Sequence, residues 1–364
     1  MYNQQNSFIK RASILANDIQ RILNAEYAVA IGSRRTQIAC PYRGLLLDEP
    51  TCIAYEIIDK KGLVSKEIIA VGQEAEALKG KVGNHIKVIN PVVKGVISDF
   101  DLAESMLTYF LDKVVTRFIF KFSPKILLSY PQTATPAQKR QFEELLLVCG
   151  ARSIDLVPLP IAHNIGGKMR GDTLQGCILV DIGTSRIEAS VVSCHRVISS
   201  YSVLTGGDSI NELITNHLRE KYAVIIGPVE SENIKLQLAT AIYNEELDSK
   251  TFYTVDCLDA HFSTPKQIRL SKRELYNVLE QELLKVSYCI KKALESIPPD
   301  LAKPLIANGI TLVGGGSKIP NLASQLTEVF GLNAKIAENP TQTAILGTKK
   351  LLEFKKSKKP VISS

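Results

Sequence analysis

Leu179-Val180-Asp181-Ile182-Gly183-Thr184-Ser185-Arg186-Ile187-Glu188-Ala189 repeats the pattern of Ala28-Val29-Ala30-Ile31-Gly32-Ser33-Arg34-Arg35-Thr36-Gln37-Ile38. Each stretch is an apolar strand, a tight turn opening on Ile-Gly-Ser/Thr and containing arginine, and a second strand. Such turns expose backbone N–H groups and small hydroxyls, so they can cradle phosphate oxygens. One Gly-Ser turn says little, because such turns are common. Two copies, each opening a similar succession of strands and helices, predict two domains of like fold facing one another across a cleft. Each would offer one phosphate loop.

Two glycine-rich stretches follow the hairpins. Gly206-Gly207-Asp208 ends the predicted strand Arg196 to Leu204 and begins a helix through Leu213 and Leu218. Gly314-Gly315-Gly316-Ser317-Lys318-Ile319-Pro320 follows the apolar run Ile310 to Val313 and leads into a helix ending at Gly331. Glycine at a strand end lets a ligand approach the backbone, and a helix N-terminus favours an anion. Either stretch alone also reads as ordinary loop punctuation. Their order after the hairpins gives them weight.

At 364 residues the chain should hold two or three units, since domains run to about 100–200 residues. It is 45% hydrophobic and 22% charged, which excludes a disordered, collagen-like or coiled-coil chain. No apolar stretch approaches the ~18 residues of a transmembrane helix. The N-terminus lacks the apolar core and small-residue cleavage site of a secretory signal. Seven scattered cysteines with no C-x-x-C pair predict reduced, mostly buried thiols in a cytosol. A net charge of +7 together with a mean hydropathy of +0.05 poses one question: whether the chain touches a membrane.

Three segments bear on it. Phe8, Ala12, Leu15, Ile19 and Ile22 line one face of an N-terminal helix, which either docks on the body or lies in the headgroup region. Arg117-Phe118-Ile119-Phe120-Lys121-Phe122-Ser123-Pro124-Lys125 sets aromatic residues between basic ones. It follows a helix lined by Leu102, Met106, Phe110 and Val114, with Asp101 and Glu104 expected as its capping box. It precedes the strand Ile126 to Tyr130 and so reads as a surface loop suited to anionic lipid, or alternatively as a buried strand edge. Lys349, Lys350, Lys355, Lys356, Lys358 and Lys359 form a basic C-terminal tail, usually a solvated feature.

The order of phosphate loop, phosphate loop and adenosine motif resembles the actin-like ATPases. From about Tyr27 to Leu352 the chain closely resembles the MreB family of bacterial cell-shape proteins. The segments that carry the likeness include Gly44-Leu45-Leu46-Leu47-Asp48-Glu49-Pro50-Thr51, Val71-Gly72-Gln73-Glu74-Ala75 and Asn90-Pro91 with Lys94-Gly95-Val96-Ile97-Ser98-Asp99-Phe100. They also include Glu232-Asn233-Ile234-Lys235, Thr311-Leu312-Val313-Gly314-Gly315-Gly316 and Glu338-Asn339-Pro340 with Gly347-Thr348. Sugar kinases and Hsp70 proteins share the hairpins but not these segments.

The resemblance implies a duplicated α/β fold of the ribonuclease H-like, actin-like kind, with two lobes and four subdomains around a nucleotide cleft. It implies ATP with Mg2+, assembly into double protofilaments, and a peripheral place at the inner face of the cytoplasmic membrane beside cell-shape and wall-synthesis proteins. No nucleic-acid partner is expected. Residue by residue, Gly32, Ser33, Arg34, Arg35 and Thr36 would form the first phosphate loop. Asp181, Gly183, Thr184, Ser185 and Arg186 would form the second, with Asp181 reaching a metal through water. Gly206, Gly207 and Asp208 would line the cleft. Glu232 and Lys235, with Asn233 and Ile234 between them, would reach ribose and base, the i and i+3 positions sharing a face. Gly314, Gly315, Gly316 and Ser317 would flank adenosine. Phe118, Ile119, Phe120 and Phe122 would match the membrane-insertion loop, and the N-terminal helix a second anchor.

The departures from the family fall at the chemistry. The family's metal-arranging aspartate is Ala30 here, which offers no oxygen to a hard cation. Its Ala-Asn pair is Arg34-Arg35, and its Gly-Gly-Thr-Thr is Thr184-Ser185-Arg186-Ile187. The glutamate that positions the attacking water, after Pro131-Gln132-Thr133-Ala134-Thr135, is Gln138. Glutamine can orient a water, but Gln138 also completes a capping box with Thr135. The arginines can bind phosphate or fill the cleft and exclude it. Ala30, Arg34, Arg35 and Arg186 thus count against both ATP and Mg2+, and slow or absent hydrolysis follows.

The leading expectation is a membrane-associated, actin-like filament protein that organises cell shape or envelope synthesis. The alternative is a catalytically silent adaptor that co-assembles with a competent MreB paralogue. A small-molecule kinase would need a separate substrate motif with a catalytic aspartate, and none is evident. The expected divisions are residues 1–26 as an N-terminal segment, 27–44 with 92–163 and 164–208 with 270–352 as the two cleft-forming subdomains, 45–91 and 209–269 as the smaller pair, and 353–364 as the tail. A long helix from Ser271 to about Ile297, capped at Glu274, should pack under the second hairpin's sheet.

Overall fold

The computed structural model describes residues 26–60, 63–83, 85–114, 123–167 and 176–357. The apolar N-terminal face, the Phe118–Phe122 segment and the chain beyond Ser357 lie outside these residues.

The first hairpin opens a meander of β1 (Glu26–Ile31), β2 (Arg35–Cys40) and β3 (Gly44–Pro50). The chain then builds a small sheet from β4 (Ile53–Lys60), β5 (Leu63–Val71) and β6 (Ile86–Ile89), and a ribbon from β7 (Val92–Val93) and β8 (Val96–Ile97). It returns through β9 (Lys125–Tyr130) and β10 (Ser153–Pro158), giving the order β10-β9-β1-β2-β3. The second half repeats the plan. β11 (Cys177–Ile182), β12 (Ile187–Ser193) and β13 (Arg196–Val203) form the meander, and β14 (Val224–Ile225), β15 (Phe252–Asp259) and β16 (Pro265–Ser271) the small sheet. β17 (Ile310–Val313) and β18 (Ala334–Ile336) complete the order β13-β12-β11-β17-β18.

In both large sheets the opening strand pairs antiparallel with the next and parallel with a strand that arrives much later. Parallel neighbours need a crossover; the helix Pro136–Val148 supplies the one from β9 to its parallel neighbour β10, and Leu322–Phe330 the one from β17 to β18. β1 and β11 lie inside their sheets and are covered on both faces. This accounts for the near-continuous buried runs Tyr27–Ala30 and Cys177–Val180.

Each lobe has its own core. Ile38, Phe110, Leu128 and Leu146 fill the first, and Ile178, Leu218, Leu279 and Leu312 the second. A third cluster joins them, with Ala28 and Leu127 of the first sheet, Cys177 and Val192 of the second, and Ala162 and Ile345 between. The last two come from the helices Leu159–Gly166 and Thr343–Ser357, which cross in close contact. A Cβ on Gly166 would stand 1.8 Å from the Thr343 carbonyl oxygen, and one on Gly347 would stand 1.7 Å from that of Ala162. Only glycine lets the two backbones meet. The helix Thr343–Ser357 follows the second sheet in sequence yet packs on β1, β2 and β9.

The helix Phe100–Val114 buries Leu102, Met106, Phe110 and Val114, the expected face. Its cap is not Asp101. The helix begins at Phe100, two residues earlier than that cap would place it, and Asp99 accepts the Leu102 N–H at 3.2 Å. Asp101 falls in the first turn, where its charge still suits the helix dipole. The helix Lys272–Leu294 packs on β12 and β13 as expected, with Ser271 as N-cap accepting the Glu274 N–H at 3.2 Å. No disulfide forms among the seven cysteines, six of which are buried. Among the described residues no helix is long and apolar enough to cross a membrane.

Candidate nucleotide cleft

The two hairpin turns have the same construction. Gly32 N–H donates to the Arg35 carbonyl at 2.9 Å, and Gly183 N–H to that of Arg186 at 2.9 Å. Both place Ile at either the last or first strand position beside the turn, and Ala30 pairs with Gln37 where Asp181 pairs with Glu188. The turns also touch. Ser185 Oγ donates to Ser33 Oγ at 2.8 Å and accepts the Lys94 N–H at 2.9 Å. Asn90 Nδ2 donates to the Ser33 carbonyl at 2.9 Å.

Asp181 stands behind the second turn, with His163 Nε2 3.7 Å from its Oδ2. His163 Nδ1 is held 2.6 Å from Thr343 Oγ1. Burial opposes ionisation of Asp181, but His163 and Arg186 outweigh it and hold the carboxyl below its ordinary range. Glu188 behaves in the opposite way. Burial raises it and the Asp181 charge adds to this, against Arg186, whose Nη2 is 3.4 Å away. Its Oε1 accepts the Gln132 N–H at 3.2 Å and the Ser200 hydroxyl at 3.1 Å.

The other arginines are engaged by carboxylates of the protein itself. Arg34 Nη1 lies 2.7 Å from Glu76, and Arg35 is 2.5 Å from Asp48 on β3. Thr36 shares a 2.9 Å hydrogen bond with Thr51, which donates to the Gly32 carbonyl at 2.7 Å. Arg35 and Thr36 therefore brace the first turn, while Arg34 borders the cleft.

Beyond the second turn opens a cavity of about 260 Å³. Arg34, Gly183, Thr184, Gly206, Gly207, Asp208, Glu232, Lys235, Gly315 and Gly316 line it, with apolar walls from Ile187, Ile210 and Leu283. Close approach requires glycine at positions 206, 314 and 316. A Cβ on Gly206 would stand 2.4 Å from the Gly183 carbonyl oxygen, and one on Gly314 would stand 2.5 Å from Asp181 Oδ1. Glu232 and Lys235 are ion-paired at 2.7 Å, and Asn211 donates to Glu232 at 2.9 Å. Burial works against the charge on Glu232, but Lys235 and Asn211 overcome it and keep the carboxylate ionised. Burial raises Asp208, against Lys79, Lys235 and Arg34. Such a pocket, with an apolar slot and a carboxylate at its rim, suits a nucleoside.

Some expected residues lie elsewhere. Ile234 is fully buried in the second core. Ser317 is buried and donates to the Gly314 carbonyl at 2.7 Å, closing its own turn. Asn233 borders only the wider outer mouth. Gln138 is taken up as a helix cap, with Oε1 accepting the Thr135 N–H at 2.9 Å. Sequence reasoning missed His163, Asn90, Lys94 and Glu188 as members of the site. It also missed Glu282, a buried carboxylate of the cavity wall bonded to Thr205 and to Lys285. Tertiary structure gathers these residues: Asn90, Lys94 and Glu188 sit in quoted segments that did not reveal their role, and His163 and Glu282 carry no local motif.

Mg2+ demands a near-octahedral set of oxygens. Ala30 offers none and Arg186 acts on Asp181, so the side chains present do not fit that ion. Among the described residues no group of three His, Cys, Asp or Glu side chains gathers to hold a metal.

A family model described as MreB/Mbl protein matches residues 24–360. The chain belongs to the MreB/Mbl family. The cell shape-determining protein MreB of Haemophilus influenzae is 31% identical over 341 residues, covering 94% of this chain and 96% of that relative. MreB of Escherichia coli is 31% identical over 329 residues, covering 90% and 93%. Among solved structures, MreB5 of Spiroplasma citri bound to AMPPNP superposes with a TM-score of 0.82 at 24% identity, covering 92% of this chain and 97% of that one. A double helical filament of MamK gives a TM-score of 0.73 at 17% identity, covering 91% and 99%. The fold is therefore the actin-like one of these MreB and MamK chains.

Proposed function

We propose that this MreB/Mbl protein forms filaments, binds an adenine nucleotide in the cleft, and hydrolyses ATP slowly or not at all. It works at the inner face of the cytoplasmic membrane, where it organises cell shape and envelope synthesis with wall-synthesis proteins. The observation that carries the nucleotide part is the cavity beside the second turn, bordered by the Glu232–Lys235 pair and the glycines of two strand ends. The Spiroplasma citri relative was solved with AMPPNP and with ADP, and MamK as a double helical filament, which supports nucleotide and self-assembly here. Slow hydrolysis rests on Ala30 and on Gln138, whose side chain is spent on its helix cap. Removing the charge-stabilising and water-positioning groups of a phosphoryl-transfer site costs orders of magnitude in rate. Membrane contact rests on the Phe118, Ile119, Phe120 and Phe122 segment.

The test combines pelleting, phosphate release and liposome co-sedimentation of the purified chain. Filaments with little phosphate release are expected, and turnover at the rate of an ordinary family member refutes the hydrolysis reading. Filaments only with a paralogue present favour the adaptor role, which Ala30 also suits. Replacing Phe118, Phe120 and Phe122 with serine should abolish liposome binding.

A further inference from the structure

We infer that the cleft binds its nucleotide without a metal ion and without discriminating triphosphate from diphosphate, because side chains of the protein already bridge the two phosphate turns. This rests on the reading of the cleft as a nucleotide site. A serine hydroxyl has one proton, and that of Ser185 is committed to Ser33 at 2.8 Å. The same oxygen accepts the Lys94 N–H at 2.9 Å, so the second turn is tied to the first lobe at two points through one atom. One residue on, the Arg186 guanidinium lies against the first lobe. A Cβ on Gly95 would stand 3.1 Å from its Nη1 and 3.3 Å from Pro131 Cγ. Behind it, Glu188 takes the Gln132 N–H at 3.2 Å. A continuous line of contacts therefore crosses the gap that two facing turns would otherwise present to a terminal phosphoryl group.

A hydrated dication fares no better there. Asp181 already has His163 Nε2 3.7 Å from its carboxylate, and the guanidinium of Arg186, in the same turn, repels a second cation. The space that is open lies on the nucleoside side of the second turn. At its edge Arg34, 45% exposed despite its bond to Glu76, supplies permanent positive charge to a phosphate. Metal and γ-phosphate thus lose their receptors together, while nucleoside and inner phosphates keep theirs.

The test is isothermal titration of the full chain with ADP and with ATP, each in Mg2+ and in EDTA. The four affinities should agree within about fivefold, which is about 1 kcal/mol. A larger gain for ATP with Mg2+ overturns the inference and leaves the nucleotide reading standing. Absence of binding for every nucleotide overturns the nucleotide reading, and the inference with it. In a Ser33→Gly/Ser185→Gly variant, ATP affinity should rise about tenfold relative to ADP. A urea midpoint close to the parent's shows that the variant is folded, and an unchanged ratio or loss of ADP binding overturns the assignment of the block to these serines.

Discussion

Replacing Arg186 with methionine keeps most of the side-chain volume but leaves Glu188 in a buried site without its cation. The two side chains are 13% and 3% exposed, with Nη2 3.4 Å from Oε2. At an effective dielectric constant of about 20, that separation corresponds to about 5 kcal/mol of gross attraction. Most of this offsets the desolvation of the two charges. The relevant quantity is the loss when one partner is removed, about 3–5 kcal/mol for a buried pair. Against a total stability of about 5–15 kcal/mol, Arg186→Met should produce a large drop in the urea midpoint. The dependence on pH follows from the direction of the Glu188 shift. Its folded pKa already lies above the unfolded value, because burial disfavours the anion. Between those two values the native state binds more protons than the unfolded state, so stability falls as pH rises. Without Arg186 the folded pKa rises further and the window widens. The deficit should therefore be larger at about pH 7.5 than at about pH 5. In a Glu188→Gln background the Arg186→Met change should cost much less, since the pair is the main thing lost. A single variant within about 1 kcal/mol of the parent, or an equal deficit in both backgrounds, would refute the reasoning.

Two further outcomes are expected. Thr135→Ala removes the hydroxyl that accepts the Gln138 N–H at 3.3 Å, and should cost about 1 kcal/mol in chemical denaturation. Glu274 is opposed by burial but held below its ordinary range by hydrogen bonds from Lys221, His217 and Tyr222. Its stabilisation is present above the unfolded pKa and is lost as pH falls through the folded one. Glu274→Gln should therefore lower the thermal midpoint at neutral pH, and the gap from the parent should close below about pH 4.

The duplicated fold was legible because its signal is local and repeated. Strands β1 and β11 must be apolar on both faces, and each turn must open on glycine, so both constraints sit in short stretches. Gly206, Gly314 and Gly316 were legible for the same reason, close approach being a demand that few residues meet. The Asp101 cap misled because Asp101 and Glu104 satisfy the same pattern, while the observed cap, Asp99, lies two residues earlier. The fate of the arginines was out of reach. Arg34, Arg35 and Arg186 are decided by Glu76, Asp48 and Glu188, and no spacing rule says which carboxylate a folded chain will bring to a guanidinium. The Ser33–Ser185 contact joins residues 152 positions apart, and His163 meets Asp181 only because two helices cross between the sheets.

That crossing has a mechanical meaning. With backbone against backbone at Gly166 and Gly347, the helices Leu159–Gly166 and Thr343–Ser357 form a pivot with no side-chain cushion. Sliding along such a point, or drawing the two helices apart, would break the core that both lobes share. Through His163, 3.7 Å from Asp181 and 2.6 Å from Thr343, the floor of the cleft is joined to both helices of the crossing.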